Sequence, residues 1–173
     1  EFFMRNTSLL RRTAALGCAA LLTFGLAACG EKEESQTETR LYRDGTYTAQ
    51  FDTAGADGYT TYAVVEIAGD KVSVTEFDGK NASGALRSAD TELADSMKEG
   101  ASEYLAFEPT PANLSKKAME DFAAAGGDPD GMALTAGGPE YGLELAALVD
   151  AVLDGPAKAD SESGSTQVEV PYY

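Results

Sequence analysis

Thr61-Tyr-Ala-Val-Val-Glu-Ile-Ala68, then Gly69-Asp70, then Lys71 and Val72-Ser-Val-Thr-Glu-Phe77, is the stretch from which the fold is read. Two β-branched runs bracket a Gly-Asp pair, the chemistry of a tight hairpin turn. In the second run Val72, Val74 and Glu76 oppose Ser73, Thr75 and Phe77, so the alternation slips before the run ends. Upstream, Thr46 to Phe51 places Tyr47, Ala49 and Phe51 on one face, which makes at least three antiparallel strands. Gly79 and Gly84 close this pattern.

Helical spacing follows. Ser88 or Asp90 caps a helix expected to run to about Lys98, with Leu93 and Met97 four apart. Ala112 to Ala125 aligns Leu114, Ala118, Phe122 and Ala125, with Pro109 and Pro111 marking the entry. Pro139 to Leu153 aligns Tyr141, Leu145, Leu148, Val149 and Val152, and Gly155-Pro156 stops it. Strands first and helices afterward predict an α+β domain, a small mostly antiparallel sheet with about three helices packed on one face. The domain is expected over 41–156. Residues 157–173 read as an acidic, Ser-rich tail ending in Gln167 to Tyr173, which either adds an edge strand or forms an apolar end.

The N-terminal part reads as an address. Arg5, Arg11 and Arg12 precede an apolar run from Thr13 to Ala28, too short to span a bilayer and typical of a secretory signal. Glu1, Phe2 and Phe3 precede the expected start at Met4. Leu26-Ala27-Ala28-Cys29 resembles the bacterial lipobox, which implies cleavage before Cys29 and lipidation of that cysteine. The expected result is a protein anchored by lipid on the extracytoplasmic face of the membrane. Residues 29–40 then form a lipidated, acidic tether. Cys18 lies in the segment to be removed, so the mature domain has neither a disulfide nor a thiol nucleophile.

The 173 residues carry 13 basic and 29 acidic side chains, a net charge of −16. Loss of residues 1–28 leaves 10 basic and 28 acidic groups, a net −18. Such a surface repels phosphate backbones, and nucleic acid is set aside as a partner. Without histidine the chain lacks the commonest general base and metal ligand, and no metal site is expected. Asp128-Pro129-Asp130-Gly131 reads as an acidic turn, because its glycine comes too early for an EF-hand loop. Lys116-Lys117 reads as a solvated pair. The junction from Thr135 through Ala136, Gly137 and Gly138 into Pro139 offers free backbone N–H groups at a helix start, either an anion seat or a plain cap.

Asp44-Gly45-Thr46-Tyr47, the hairpin on Ala68-Gly69-Asp70-Lys71-Val72, and Phe77 to Asn81 followed by Gly84, Leu86, Arg87, Ser88 and Asp90 together resemble membrane-anchored lipoproteins of the FMN-binding domain family. The resemblance covers about Leu41 to Asp154. It implies an extracytoplasmic flavin carrier in electron transfer, with a redox partner at the cell surface. The family motif Asp-x-x-Ser-Gly-Ala-Thr ends in the threonine that accepts FMN from a flavin transferase. Here the equivalent stretch is Met132-Ala133-Leu134-Thr135-Ala136-Gly137-Gly138. Thr135 matches the serine, whereas Gly138 replaces the acceptor and has no hydroxyl, so FMN there is expected to be noncovalent. Under that reading Thr135, Ala136, Gly137 and Gly138 meet the phosphate, and Tyr59 or Tyr62 stacks on the ring. The alternative is a flavin-free surface lipoprotein that binds a partner or small ligand without chemistry.

Overall fold

A computed structural model describes residues 40–172; the signal segment, Cys29 and the tether up to Thr39 lie outside the described residues, as does Tyr173. Strands β1 (Gly45–Phe51), β2 (Thr60–Ala68) and β3 (Lys71–Lys80) come first, followed by a 3-10 turn at Arg87–Ala89. Helices α1 (Thr91–Glu99), α2 (Pro111–Ala124) and α3 (Pro139–Asp154) come next, and β4 (Gln167–Val170) closes the chain. The sheet order is β3-β2-β1-β4, antiparallel except for the β1–β4 pair. The domain is therefore α+β, as expected.

The β2–β3 turn has Gly69 and Asp70 both at positive φ, 58° and 62°, as a two-residue hairpin of this hand requires. Its carboxylate and that of Asp44 lock the turn to the start of β1 reciprocally. Asp44 Oδ1 accepts from Gly69 N at 2.8 Å, while Asp70 Oδ1 accepts from Tyr42 N at 2.9 Å. The slipped alternation of β3 has a structural cause. Val64 pairs with Glu76 and Val65 with Val74, so Thr75 is an extra residue in a bulge. The bulge returns Phe77 to the face of Val72 and Val74, where all three meet the core.

That face carries Ala49, Phe51, Ala63, Val65 and Ile67, and it is covered by Leu114, Ala118 and Phe122 of α2 and by Leu145, Leu148, Val149 and Val152 of α3. Asp90 caps α1 by accepting from Leu93 N, and Thr110 caps α2 by accepting from Asn113 N. The cover is nonetheless unequal. No residue of α1 is buried, and only its Met97 packs against the core.

The segment after Pro156 takes the first of its two expected forms, an edge strand, and its start packs into the core. Ala157 is fully buried, and β4 adds the edge strand beside β1. Arg43 holds the intervening loop: its N–H donates to Ala157 O at 2.7 Å, and its guanidinium donates to the carbonyls of Ala159, Ser161 and Ser163. A planar fork serves three carbonyls at once in a way lysine does not. Arg43→Ala is expected to speed amide exchange about tenfold at Thr48 and Asp52, whose N–H groups donate to Thr166 O and Val170 O, with Arg43→Lys failing to restore it. Unchanged exchange would mean that strand pairing alone holds β4.

Candidate functional site

The glycine-rich entry to α3 is packed from within. Thr135 is buried, and its hydroxyl donates to Asp121 Oδ2 at 2.7 Å. Asp121 also accepts from Lys117, one turn earlier on α2. Burial pushes the Asp121 carboxyl up, but the bonds from Lys117 and Thr135 outweigh it and hold it below its ordinary value. Lys117 is thus ion-paired as well as partly solvated, its side chain 39% exposed, whereas Lys116, 3.8 Å from Glu120, is the more exposed member of the pair. Ala136 is exposed at the turn.

Gly137 has φ +89°, and a side chain there would stand 2.7 Å from Leu105 Cδ1. At Gly138 an added Cβ would lie 2.6 and 2.7 Å from the two methyl carbons of Leu114. The Gly138 N–H turns back to Thr135 O at 3.3 Å. Beside Gly137 lies a hollow of about 290 Å³, lined by Met97, Gly100, Ala101, Ser102, Leu105 and Pro109, with no charged side chain. Of the two candidate stacking rings, Tyr62 stands on the sheet face opposite the Ala63, Val65 and Ile67 row, beneath the Lys80 ammonium at 4.4 Å. Tyr59 donates its hydroxyl to Asp90 at 2.7 Å, which raises its pKa.

The charged chemistry converges elsewhere. A cleft of about 300 Å³ opens between the β1–β2 loop, α1 and the first two turns of α3. Arg87, carried by the 3-10 turn, lines it with a side chain only 4% exposed. Its Nη1 donates to Asp57 Oδ2 at 3.3 Å and stands 3.6 Å from Glu144 Oε2, too far for a hydrogen bond. Tyr141 and Glu144, three apart on α3, share one helix face. The Arg87 guanidinium carbon lies 4.5 Å from the Tyr141 ring centre, a cation–π contact. Thr61 Oγ1 donates to Glu144 Oε2 at 2.9 Å.

Two of the Arg87 nitrogens, Nε and Nη2, are buried with no hydrogen-bond partner. A buried donor left unpaired is costly, and a native structure rarely retains one without a use. Burial pushes the Glu144 carboxyl above its ordinary value, against the pull of Arg87 and Thr61. Burial likewise pushes the Tyr141 hydroxyl up to about 12. The apolar wall is Leu93 and Met97 of α1 with Tyr172, which is fixed by its N–H to Asp52 Oδ1 and edge-on against Phe51.

Thr135, Ala136, Gly137 and Gly138 therefore sit together at one loop, while Asp57, Arg87, Tyr141 and Glu144, not singled out as site residues in the sequence, form the cleft. One signal pointed there: Arg87 is the lone basic residue between Lys80 and Lys98. Among the described residues no helix is long and apolar enough to cross a membrane, and no group of three potential ligands could hold a metal ion.

No protein-family model matches the chain, and no protein with a curated description matches it. In fold it is similar to the crystal structure of the CPE2226 protein from Clostridium perfringens, with a TM-score of 0.60 and 18% identity over 77% of this chain and all of the other. That likeness concerns the fold alone.

Proposed function

We propose that this chain is an extracytoplasmic lipoprotein, held to the membrane through lipidated Cys29, whose domain is a flavin-free binding module that takes a small ligand in the Arg87 cleft. The observation that carries the reading is Arg87 itself: a nearly buried guanidinium in the lining of an open cleft, set between the carboxylates of Asp57 and Glu144. The packing of the α3 entry supports the flavin-free reading. Leu105 and Leu114 occupy the space beside Gly137 and Gly138, Asp121 holds the Thr135 hydroxyl, and the cation of that network, Lys117, is bonded to Asp121. The lipobox supports the tether.

The test uses the full chain, produced together with a flavin transferase and purified from membranes in mild detergent. The protein is expected to be colourless between about 350 and 500 nm, and added FMN is expected to leave its thermal midpoint unchanged. A screen of small metabolites should raise that midpoint, and Ala56→Trp, a substitution at the exposed rim of the cleft, should remove the rise. Cys29→Ser should shed the protein from the membrane fraction. A yellow protein, or stabilisation that survives Ala56→Trp, would overturn the reading.

A further inference from the structure

Resting on the cleft reading above, we propose that α1 is the lid of that cleft: pinned at Asp90, it leaves the domain surface independently of the other helices and melts as it does so. Two observations carry this. The first is how little holds the helix. Its half-buried stripe is Leu93, Ala94 and Met97, and of these only Met97 packs against the core. By contrast α2 buries five residues and α3 seven. The one ion pair of α1 among the described residues, Lys98 to Asp95 at 2.7 Å, lies within the helix and fastens it to nothing else. Nine residues are also too few to stay helical alone in water, where about 12 to 15 are marginal even for good helix formers. Once Met97 leaves the core, α1 therefore unfolds rather than swinging out intact.

The anchorage is one-sided. Before the helix, Asp90 accepts from the Tyr59 hydroxyl at 2.7 Å, and Ser88 donates its N–H to Asp78 Oδ1 at 3.0 Å, which ties the preceding turn to β3. After it, Gly100 leads into 101–109, a stretch of short-range turns such as Leu105 N–H to Ser102 O, with Tyr104 88% exposed. That stretch gives the Gly100 end room to move while the Asp90 end stays.

The second observation is where the helix stands. Leu93 and Met97 line the cleft of about 300 Å³, and Met97 also lines the hollow of about 290 Å³ beside Gly137. Met97 is thus a partition common to both. Each cavity alone is at the small end of ligand sites, which run from roughly 300 to 1,000 Å³, and withdrawing Met97 joins them. A segment with few buried contacts is the first to open, and one that walls a site gates it.

The experiment is amide hydrogen exchange, read by mass spectrometry on the full chain in detergent. Amides of 93–99 are expected to exchange about a hundredfold or more faster than those of α2 and α3. Met97→Ala, which removes the contact with the core, should speed α1 about tenfold further and leave α2 and α3 as they were. A metabolite that raises the thermal midpoint of the native chain but not of Ala56→Trp should slow α1 about tenfold.

Exchange in α1 as slow as in α2, or equal acceleration of all three helices by Met97→Ala, would show that α1 opens only with the whole domain and would overturn the lid. So would a metabolite that stabilises through the cleft yet leaves α1 exchange unchanged, a result the cleft reading survives. With no such metabolite the cleft reading falls, whereas fast exchange confined to α1 upholds the opening.

Discussion

Replacing Arg87 by methionine is expected to destabilise the domain by about 3–5 kcal/mol, which for a domain of this size lowers the thermal midpoint by roughly 10–20 °C. Methionine fills most of the same volume, so no large cavity contributes. The loss comes from what remains: Glu144, 15% exposed at its side chain, and Asp57 would face each other without the cation between them. The stacking on Tyr141 goes as well. In the native protein burial already raises the Glu144 carboxyl, and Arg87 is the largest influence opposing that rise. A carboxyl raised in the folded state contributes its full stability below its ordinary pKa of 4.5 and loses it as pH rises through the folded value. Removing Arg87 raises that folded value further. The deficit of Arg87→Met is therefore expected to be largest near about pH 8 and to shrink toward about pH 5, by chemical denaturation at each pH. Adding Glu144→Gln should recover part of the loss, a coupling that a double-mutant cycle reads directly. A deficit below about 1 kcal/mol, or one flat in pH, would show that Arg87 is not the cation that holds this cleft together.

Most of the fold was legible because its signals are local. The Gly69-Asp70 turn, the Pro111 and Pro139 starts and the apolar stripes of α2 and α3 each declare themselves within a few residues. Even the slip in β3 was visible as a broken alternation, although its cause, the extra Thr75, appears only in the register against β2. Non-local features were harder. A four-residue run such as Gln167–Val170 does not say which strand it joins, and its parallel pairing with β1 depends on α3 having carried the chain back across the sheet. Ala157 could not be read as core, because one alanine in a polar stretch has no periodicity. Leu93 and Met97 have helical spacing but remain half-exposed, since the face they form borders the cleft.

The site was less legible for the same reason. Asp57, Arg87, Tyr141 and Glu144 come from a loop, a 3-10 turn and a helix, separated by up to 87 positions, and no spacing rule links them. The α3 entry, by contrast, has a conspicuous sequence. Its glycines fit a phosphate seat and a close-packed junction equally well until their neighbours are known. Leu105 and Leu114 are the neighbours that favour the second, and neither carries any mark in the sequence of what it will touch.

Gly138→Thr, which supplies a hydroxyl at the position equivalent to the acceptor threonine of the flavin-binding lipoproteins that the sequence resembles, is expected to destabilise the domain by about 1–3 kcal/mol and to leave it colourless even alongside a flavin transferase. The sign of φ raises no objection, because at Gly138 it is −172°, outside the left-handed region that favours glycine. The objection is Leu114. Its methyl carbons stand 2.6 and 2.7 Å from the new Cβ, closer than real side chains approach, and Leu114 is fully buried in the core. A β-branched residue adds a second substituent to the same space. The thermal midpoint should fall by roughly 5–10 °C. Leu114→Ala alone should cost about 2–5 kcal/mol through the cavity it leaves. Combined, the two substitutions should cost less than their sum, because threonine then enters space that Leu114 has vacated. Strict additivity would mean that the two residues do not compete for one volume. A Gly138→Thr protein as stable as the native chain would mean that Leu114 moves aside at little cost, and the α3 entry would again fit a phosphate.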